Sequence, residues 1–186
     1  MGKNLSNSVA IITGASSGIG RETAILLAQK GVKVTLAARR EKRLEEVAGI
    51  INRLESEALV IPTDVSSQTQ VERMIEKTLE RFGRIDILVN NAGFGQLASI
   101  EETSPDDMRE IMDVNFMGTF YATKATLPQM RKQRSGHIIN ISSVAGKRGF
   151  PFLGAYCATK FAKNRAYGNG YLCESSLSCY NHNRVL

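Results

Sequence analysis

Tyr156 and Lys160 stand four residues apart in Tyr156-Cys157-Ala158-Thr159-Lys160. On a helix that spacing puts both side chains on one face. A phenol ordinarily ionises near pH 10, too high for a base at neutrality. A neighbouring ammonium favours the phenolate and lowers that value. Tyr156 is then suited to pass a proton to or from a carbonyl or alcohol oxygen. Ser143, upstream and beyond an apolar run, is suited to hold the substrate oxygen, with its neighbour Ser142 the second choice. Asn115 is suited to hold a water that relays the proton through Lys160, or to serve as a buried amide bonded to distorted helix backbone. Alone, the Tyr–Lys pair reads as an exposed helix face, so its weight depends on what surrounds it.

The segment Thr13-Gly14-Ala15-Ser16-Ser17-Gly18-Ile19-Gly20 follows an apolar run and opens a helical pattern. Gly14 permits a tight turn, Gly18 lets backbone approach a pyrophosphate, and Gly20 allows close helix–strand packing. The free N–H groups and positive end of the helix attract the anion. Dinucleotide folds that take NAD carry an acid after the second strand to hold the ribose 2′-hydroxyl. Here that strand ends Ala37-Ala38-Arg39-Arg40. Ala38 is not acidic, and the Arg39 guanidinium suits a 2′-phosphate, with Ser16 beside it. NADP is therefore expected over NAD. Asp64 is suited either to accept from an adenine amino group or to cap the helix that begins near Ser67. Asn90-Asn91-Ala92-Gly93 permits close cofactor approach and ties neighbouring strands, or is a plain Asn/Gly turn.

These residues need a frame that brings them together. Short apolar runs alternate with longer amphipathic stretches. Strands are expected at Val9–Thr13, Val32–Ala38, Leu59–Pro62, Ile85–Asn90 and His137–Ser142. Helices are expected from Gly18, Glu41, Ser67, Ser104 and near Gly154, the fourth being one long helix or a broken pair. That alternation predicts an α/β fold, a doubly wound parallel sheet. Such sheets bind ligands beyond the C-terminal ends of their strands. Every residue singled out above falls there or on the last two helices.

Composition excludes several classes. The chain has 186 residues, 42% of them apolar and 23% charged, as in ordinary globular proteins. The net charge of +6 comes from basic residues that alternate with acidic ones, as in Arg40-Glu41-Lys42-Arg43-Leu44-Glu45-Glu46, so nucleic acid is not an expected partner. No apolar run is long enough to cross a membrane. Met1-Gly2-Lys3-Asn4-Leu5-Ser6 fits the short acylation pattern, but no membrane anchoring is expected. Three cysteines, all late, form neither a disulfide scaffold nor a metal site, and no metal is expected. A reducing compartment, the cytoplasm, is the expected location.

The combination of TGASSGIG, NNAG, Asn115, the ISS of Ile141–Ser143 and YCATK closely resembles the short-chain dehydrogenase/reductase family. The resemblance covers roughly residues 7 to 163. It implies a Rossmann-type fold, a nicotinamide cofactor, and hydride transfer to or from a carbonyl or hydroxyl carbon of a small molecule. By the family's pattern Ser143 orients the substrate oxygen and Tyr156 is the acid/base. Lys160 lowers the tyrosine pKa and binds the nicotinamide ribose, and Asn115 completes the relay. Cofactor contacts are implied for Gly14, Ser16, Ser17, Gly18, Ile19, Gly20, Arg39, Asp64, Val65, Asn91, Ala92 and Gly93, besides Tyr156 and Lys160. Ala38-Arg39 resembles the NADP-preferring branch.

Residues 164–186 depart from the family. They hold only three Asp, Glu, Lys or Arg residues but three of the five tyrosines. Gly168-Asn169-Gly170 breaks the helical pattern. The family's sixth and seventh strands, its substrate loop and a common dimerisation surface are expected to be incomplete or missing, as in a C-terminally truncated member. Only Asn183–Leu186 resembles the start of a sixth strand. The expected organisation is a catalytic and cofactor domain over 1–163 and a poorly ordered tail over 164–186. A homo-oligomer is doubtful on that ground, and a non-catalytic NADP-binding module is the alternative to an active reductase.

Overall fold

A computed structural model describes residues 5–167, 170–173 and 179–181. The acylation pattern at the N-terminus, much of the tail and the strand start expected at Asn183–Leu186 lie outside these residues. The chain runs β1 (Val9–Thr13), α1 (Gly18–Ala28), β2 (Lys33–Ala38), α2 (Glu41–Asn52), β3 (Ala58–Pro62), α3 (Gln68–Phe82) and β4 (Ile87–Asn90). It continues through α4 (Pro105–Met112), a π-helical segment Asp113–Met117, α5 (Gly118–Gln133), β5 (Gly136–Asn140) and α6 (Gly154–Tyr167). Two short strands follow, β6 (Gly170–Cys173) and β7 (Cys179–Asn181).

The sheet order is β3-β2-β1-β4-β5-β6-β7. The first five are parallel, as the strand–helix alternation requires. Successive residues of a strand face opposite sides, and the core divides accordingly. Ala10, Ile12, Val34 and Leu36 pack with Ala24 and Ala28 of α1 and Leu44, Val47 and Ile51 of α2. Ile11, Ile61, Leu88 and Ile138 pack with Val71, Met74 and Ile75 of α3 and Ala122 and Met130 of α5. Each fully buried Ile or Leu contributes about 1.5–3 kcal/mol, so the two layers fix the spacing of the strand ends on which the site is built.

Local signals set most helix boundaries. Ser67 caps α3 by accepting from Gln70 N, and Gly83 ends it in the left-handed conformation. Ser104 and Asp107 form a capping box at the start of α4, with Pro105 in the first turn. The stretch expected as one helix or a broken pair is α4 and α5 joined through the π-helical segment.

Beyond β5, where the sixth and seventh strands are expected to be incomplete or missing, the sheet carries two short antiparallel strands. β6 pairs antiparallel with β5, from Gly136↔Cys173 to Ile139↔Gly170, and β7 pairs antiparallel with β6. The tail lacks the apolar period of 3.6 that would continue α6, and two glycines interrupt it. Backbone N–H and C=O groups of an open edge accept a partner whatever its side chains, so composition did not forecast this pairing.

Candidate functional site

The strand order reverses between β1 and β4, the switch point at which doubly wound sheets bind their ligands. A groove of about 420 Å³ lies there. Its walls come from the segments that follow each parallel strand: Gly14, Ser16, Ser17 and Ile19 after β1; Ala38, Arg39 and Arg40 at the end of β2; Thr63, Asp64 and Val65 after β3; Asn91, Ala92, Gly93 and Phe94 after β4; Ile141 and Ser142 after β5. Val114, Tyr156 and Lys160 complete it.

The glycine turn is built by close backbone approach. Gly14 sits at φ +67°, in the left-handed region. A methyl group on Gly20 would lie 2.5 Å from Gly14 O and 2.5 Å from Asn91 Nδ2, so α1 can reach β1 only with glycine there. Gly20→Ala is expected to destabilise the chain by about 1–3 kcal/mol, the usual range for overpacking, as read by urea denaturation. Unchanged stability would show that the turn yields. Ser17 is the N-cap of α1 and makes no side-chain capping bond, so the N–H groups of the first turn are open to an anion.

Asn91 ties β4 to β1. Its Nδ2 donates to Thr13 O at 3.0 Å and Gly14 O at 3.3 Å, and its N–H donates to Thr13 Oγ1 at 3.0 Å. Asp64 lines the groove, and its Oδ1 accepts from the N–H and hydroxyl of Ser66 at 3.0 and 2.7 Å. It is not the cap of α3, which is Ser67.

The basic end of the groove contains a residue that sequence reading passed over. Arg39 lines the groove, but it is Arg40 whose Nη2 donates to Ser16 Oγ at 2.9 Å and Ser17 Oγ at 2.8 Å. Both arginines follow β2 directly, and the run Arg39-Arg40 was the available signal. Ser16 is thus bonded to the second arginine of the pair and not to Arg39.

At the other end, Tyr156 and Lys160 lie side by side on α6, with Lys160 Nζ 5.4 Å from the centre of the Tyr156 ring. Lys160 is 4% exposed and donates to Ile141 O at 3.2 Å. Burial lowers its pKa from the ordinary lysine value. Asn115 is fully buried in the π-helical segment. Its Nδ2 donates to Phe94 O at 2.8 Å and Thr159 Oγ1 at 3.0 Å, and its Oδ1 accepts from Phe94 N at 2.9 Å. The buried-amide reading of Asn115 is therefore right about burial and distorted helix, while its bonds run to the loop after β4 and to α6.

The structure separates the two serines differently from the sequence reading. Ser142 lines the groove, and its hydroxyl is buried with no hydrogen-bond partner. Ser143 is not in the lining; its Oγ accepts from Ala145 N at 3.1 Å and starts a short 3₁₀ turn. Gly18 and Gly20 likewise shape the turn without lining the groove. Lys163, which sequence reading did not single out, is fully buried on α6 and donates to Asn90 O at 3.1 Å. Among the described residues no cluster of His, Cys, Asp or Glu could hold a metal, and no helix is long and apolar enough to cross a membrane.

Residues 8–167 match the family model described as short chain dehydrogenase. An uncharacterized oxidoreductase of Staphylococcus saprophyticus is 45% identical over 159 residues, which cover 86% of this chain and 64% of the relative. The chain thus spans less than two-thirds of the length of that curated relative. Among solved structures, an alcohol dehydrogenase from Thermococcus sibiricus complexed with 5-hydroxy-NADP superposes with a TM-score of 0.83 at 36% identity, covering 86% of this chain and 68% of that one. A xylitol dehydrogenase bound to NAD+ superposes with a TM-score of 0.86 at 32% identity, covering 89% and 64%. With its five parallel strands, glycine turn and groove all carried on residues inside that match, the chain belongs to the short-chain dehydrogenase family.

Proposed function

We propose that this chain binds a nicotinamide dinucleotide, NADP in preference to NAD, and acts on a small carbonyl or alcohol. One observation carries the reading. A single groove has two arginines directly after β2 with no acid at position 38, and Tyr156 beside a buried Lys160 on α6. The fit to the cofactor rests on that groove, on the open first turn of α1, and on the cradle that a Cβ at Gly14 or Gly20 would fill. Structural relatives in complex with 5-hydroxy-NADP and with NAD+ support the cofactor class.

When bound, the nicotinamide supplies or accepts the hydride. The chain's own residues do the rest. Ser16, Arg39 and Arg40 hold a 2′-phosphate, while Gly14, Ser17, Gly18, Ile19 and the first turn of α1 face the pyrophosphate. Asp64 and Val65 flank the adenine, and Asn91, Ala92 and Gly93 form the floor. Tyr156 donates or takes the proton at the substrate oxygen. The Lys160 ammonium stands beside the phenol and hydrogen-bonds the ribose. Asn115 positions the machinery by holding the loop at Phe94 against α6. A serine hydroxyl orients the substrate oxygen: Ser143 by the family's pattern, with Ser142 the second choice. A soluble, cytoplasmic setting suits this chemistry.

Cofactor preference tests the first half of the reading. The parent is expected to bind NADPH at least about tenfold more tightly than NADH, in line with charge-assisted phosphate bonds of about 1.5–3 kcal/mol. Ala38→Asp combined with Arg39→Ser and Arg40→Ser is expected to reverse that order in a fluorescence titration of the reduced cofactors. Equal affinity of the parent for both would sink the NADP assignment.

A second reading is cofactor binding without turnover. It is favoured by the position of Ser143, whose hydroxyl lies outside the groove lining. A panel of carbonyl substrates with NADPH separates the two readings. Cofactor binding with no oxidation of NADPH by any of them would support the second.

A further inference from the structure

Five large apolar side chains among the described residues are more than 60% exposed: Leu97 at 80%, Ile100 at 74%, Ile19 at 64%, Phe152 at 62% and Val144 at 61%. Single exposed apolar residues are ordinary on a surface. These five are not scattered. Ile19 lines the cofactor groove, and the other four lie on the two segments that bracket Tyr156, one after β4 and one after β5.

The two segments are laced together. Ala98 N donates to Phe152 O at 2.9 Å, and Ala98 forms an isolated parallel bridge with Leu153. Ile100 closes on Gly154, where a methyl group would lie 2.7 Å from its Cδ1. Gly95 lies against the Tyr156 ring, which a methyl group there would meet at 3.0 Å. Phe152 is held at φ +59°, an uncommon conformation for an aromatic residue, while its ring stays exposed. Strained backbone of this kind persists where the surroundings over-determine it, and it clusters at ligand sites. The lacing thus holds the segment of Leu97 and Ile100 against that of Phe152 next to Tyr156, and Val144 follows Ser143 earlier on the second segment.

Charge on the same segments points to no ionic handle. Glu101 and Glu102 balance Lys147 and Arg148. Glu102 is taken up by the N–H and hydroxyl of Ser99, and Arg148 lies over the Phe150 ring at 4.7 Å. A sugar or an anion would require convergent donors or cations at this mouth.

We propose that the carbonyl or carbinol carbon on which this chain acts carries alkyl or aryl substituents that seat on Leu97, Ile100, Val144 and Phe152. The proposal rests on the oxidoreductase reading above for the identity of the reacting carbon. Seating an alkyl chain there removes apolar surface of both partners from water, the non-directional gain expected of such a wall.

The test uses the 186-residue chain loaded with NADPH. Methyl ketones of increasing alkyl length and dihydroxyacetone are titrated by ligand-observed saturation-transfer NMR, with NADPH oxidation followed in parallel. Affinity is expected to rise about two- to fourfold per methylene, fourfold being the value for full burial, and dihydroxyacetone to bind most weakly. Leu97→Gln and Phe152→Asn are each expected to weaken the longest ketone by about fivefold or more. Asparagine tolerates the positive φ at position 152, which guards against misfolding. A flat series, a preference for dihydroxyacetone, or a series unmoved by both variants would overturn the proposal. So would a flat series in a chain whose self-association in sedimentation is lost in Leu97→Gln, since the patch would then be a contact between copies. Failure to bind NADPH counts against the cofactor reading alone. The ketone series on the unloaded chain then still decides the apolar class, a length dependence supporting it and a flat series overturning it.

Discussion

Tyr156→Phe is expected to lower kcat by about 10²–10⁴-fold with any carbonyl substrate the chain turns over, the usual worth of a positioned proton donor. NADPH affinity should stay within about threefold, because a mutation that removes only a proton-transfer group leaves binding largely intact. The geometry behind this is specific. Lys160 Nζ lies 5.4 Å from the phenol ring centre and is held by Ile141 O, so the tyrosine has an ammonium neighbour that cannot swing away. Steady-state rates and cofactor fluorescence on the two proteins check the expectation. A retained kcat in the phenylalanine variant would show that the proton comes from another group.

Lys163→Met is expected to stabilise the chain at pH 7 by on the order of 3–5 kcal/mol, at 1.36 kcal/mol per pK unit. Lys163 is fully buried, and among the described residues its ammonium donates to Asn90 O. Burial, then the charge of Lys160, pushes its pKa from 10.5 down to about 7. Between those two values the unfolded chain holds a proton that the folded chain has shed, so stability rises with pH across the window. Below about pH 7 the cost of the buried lysine is present in full; as pH climbs towards 10.5 it fades. Methionine removes the cost and the slope together. Asn90 O keeps a partner, since it also accepts from Ile141 N at 3.0 Å. Urea denaturation of both proteins at pH 7 and pH 9.5 reads the effect, and equal stability at pH 7 would show that Lys163 reaches water.

Much of this molecule is written locally. Val9–Ile12 and Ile87–Val89 are apolar throughout and lie in strands buried on both faces. Ser67, Gly83 and Ser104-Pro105 stop and start helices because caps and left-handed turns depend on a few neighbouring groups. The pairing of Tyr156 with Lys160 follows from helical spacing alone. The glycine turn, too, is a local matter of backbone freedom at Gly14 and of space at Gly20.

What remained beyond reach of the chain read in one dimension depends on contacts between distant residues or on a choice between adjacent ones. Arg39 and Arg40 are equivalent as letters. The direction in which the chain leaves β2 decides that Arg40 spans to Ser16 and Ser17, 24 and 23 residues earlier. Ser142 and Ser143 differ in the same way: one residue lines the groove with its hydroxyl buried, and the other hydroxyl accepts from Ala145 N in the turn. Asn115 reaches Phe94 and Thr159 across 21 and 44 residues, because the π-helical segment sets it against both. Lys163 could as well have been a surface charge. It is buried because α6 lies over the end of β4, where Asn90 O is the acceptor. Local propensity acts over a few residues and determined the elements and the spacing of the reactive pair; the packing of α6 and the strand ends, which no local rule encodes, decided which of the neighbouring polar groups face the groove and which are sealed beneath it.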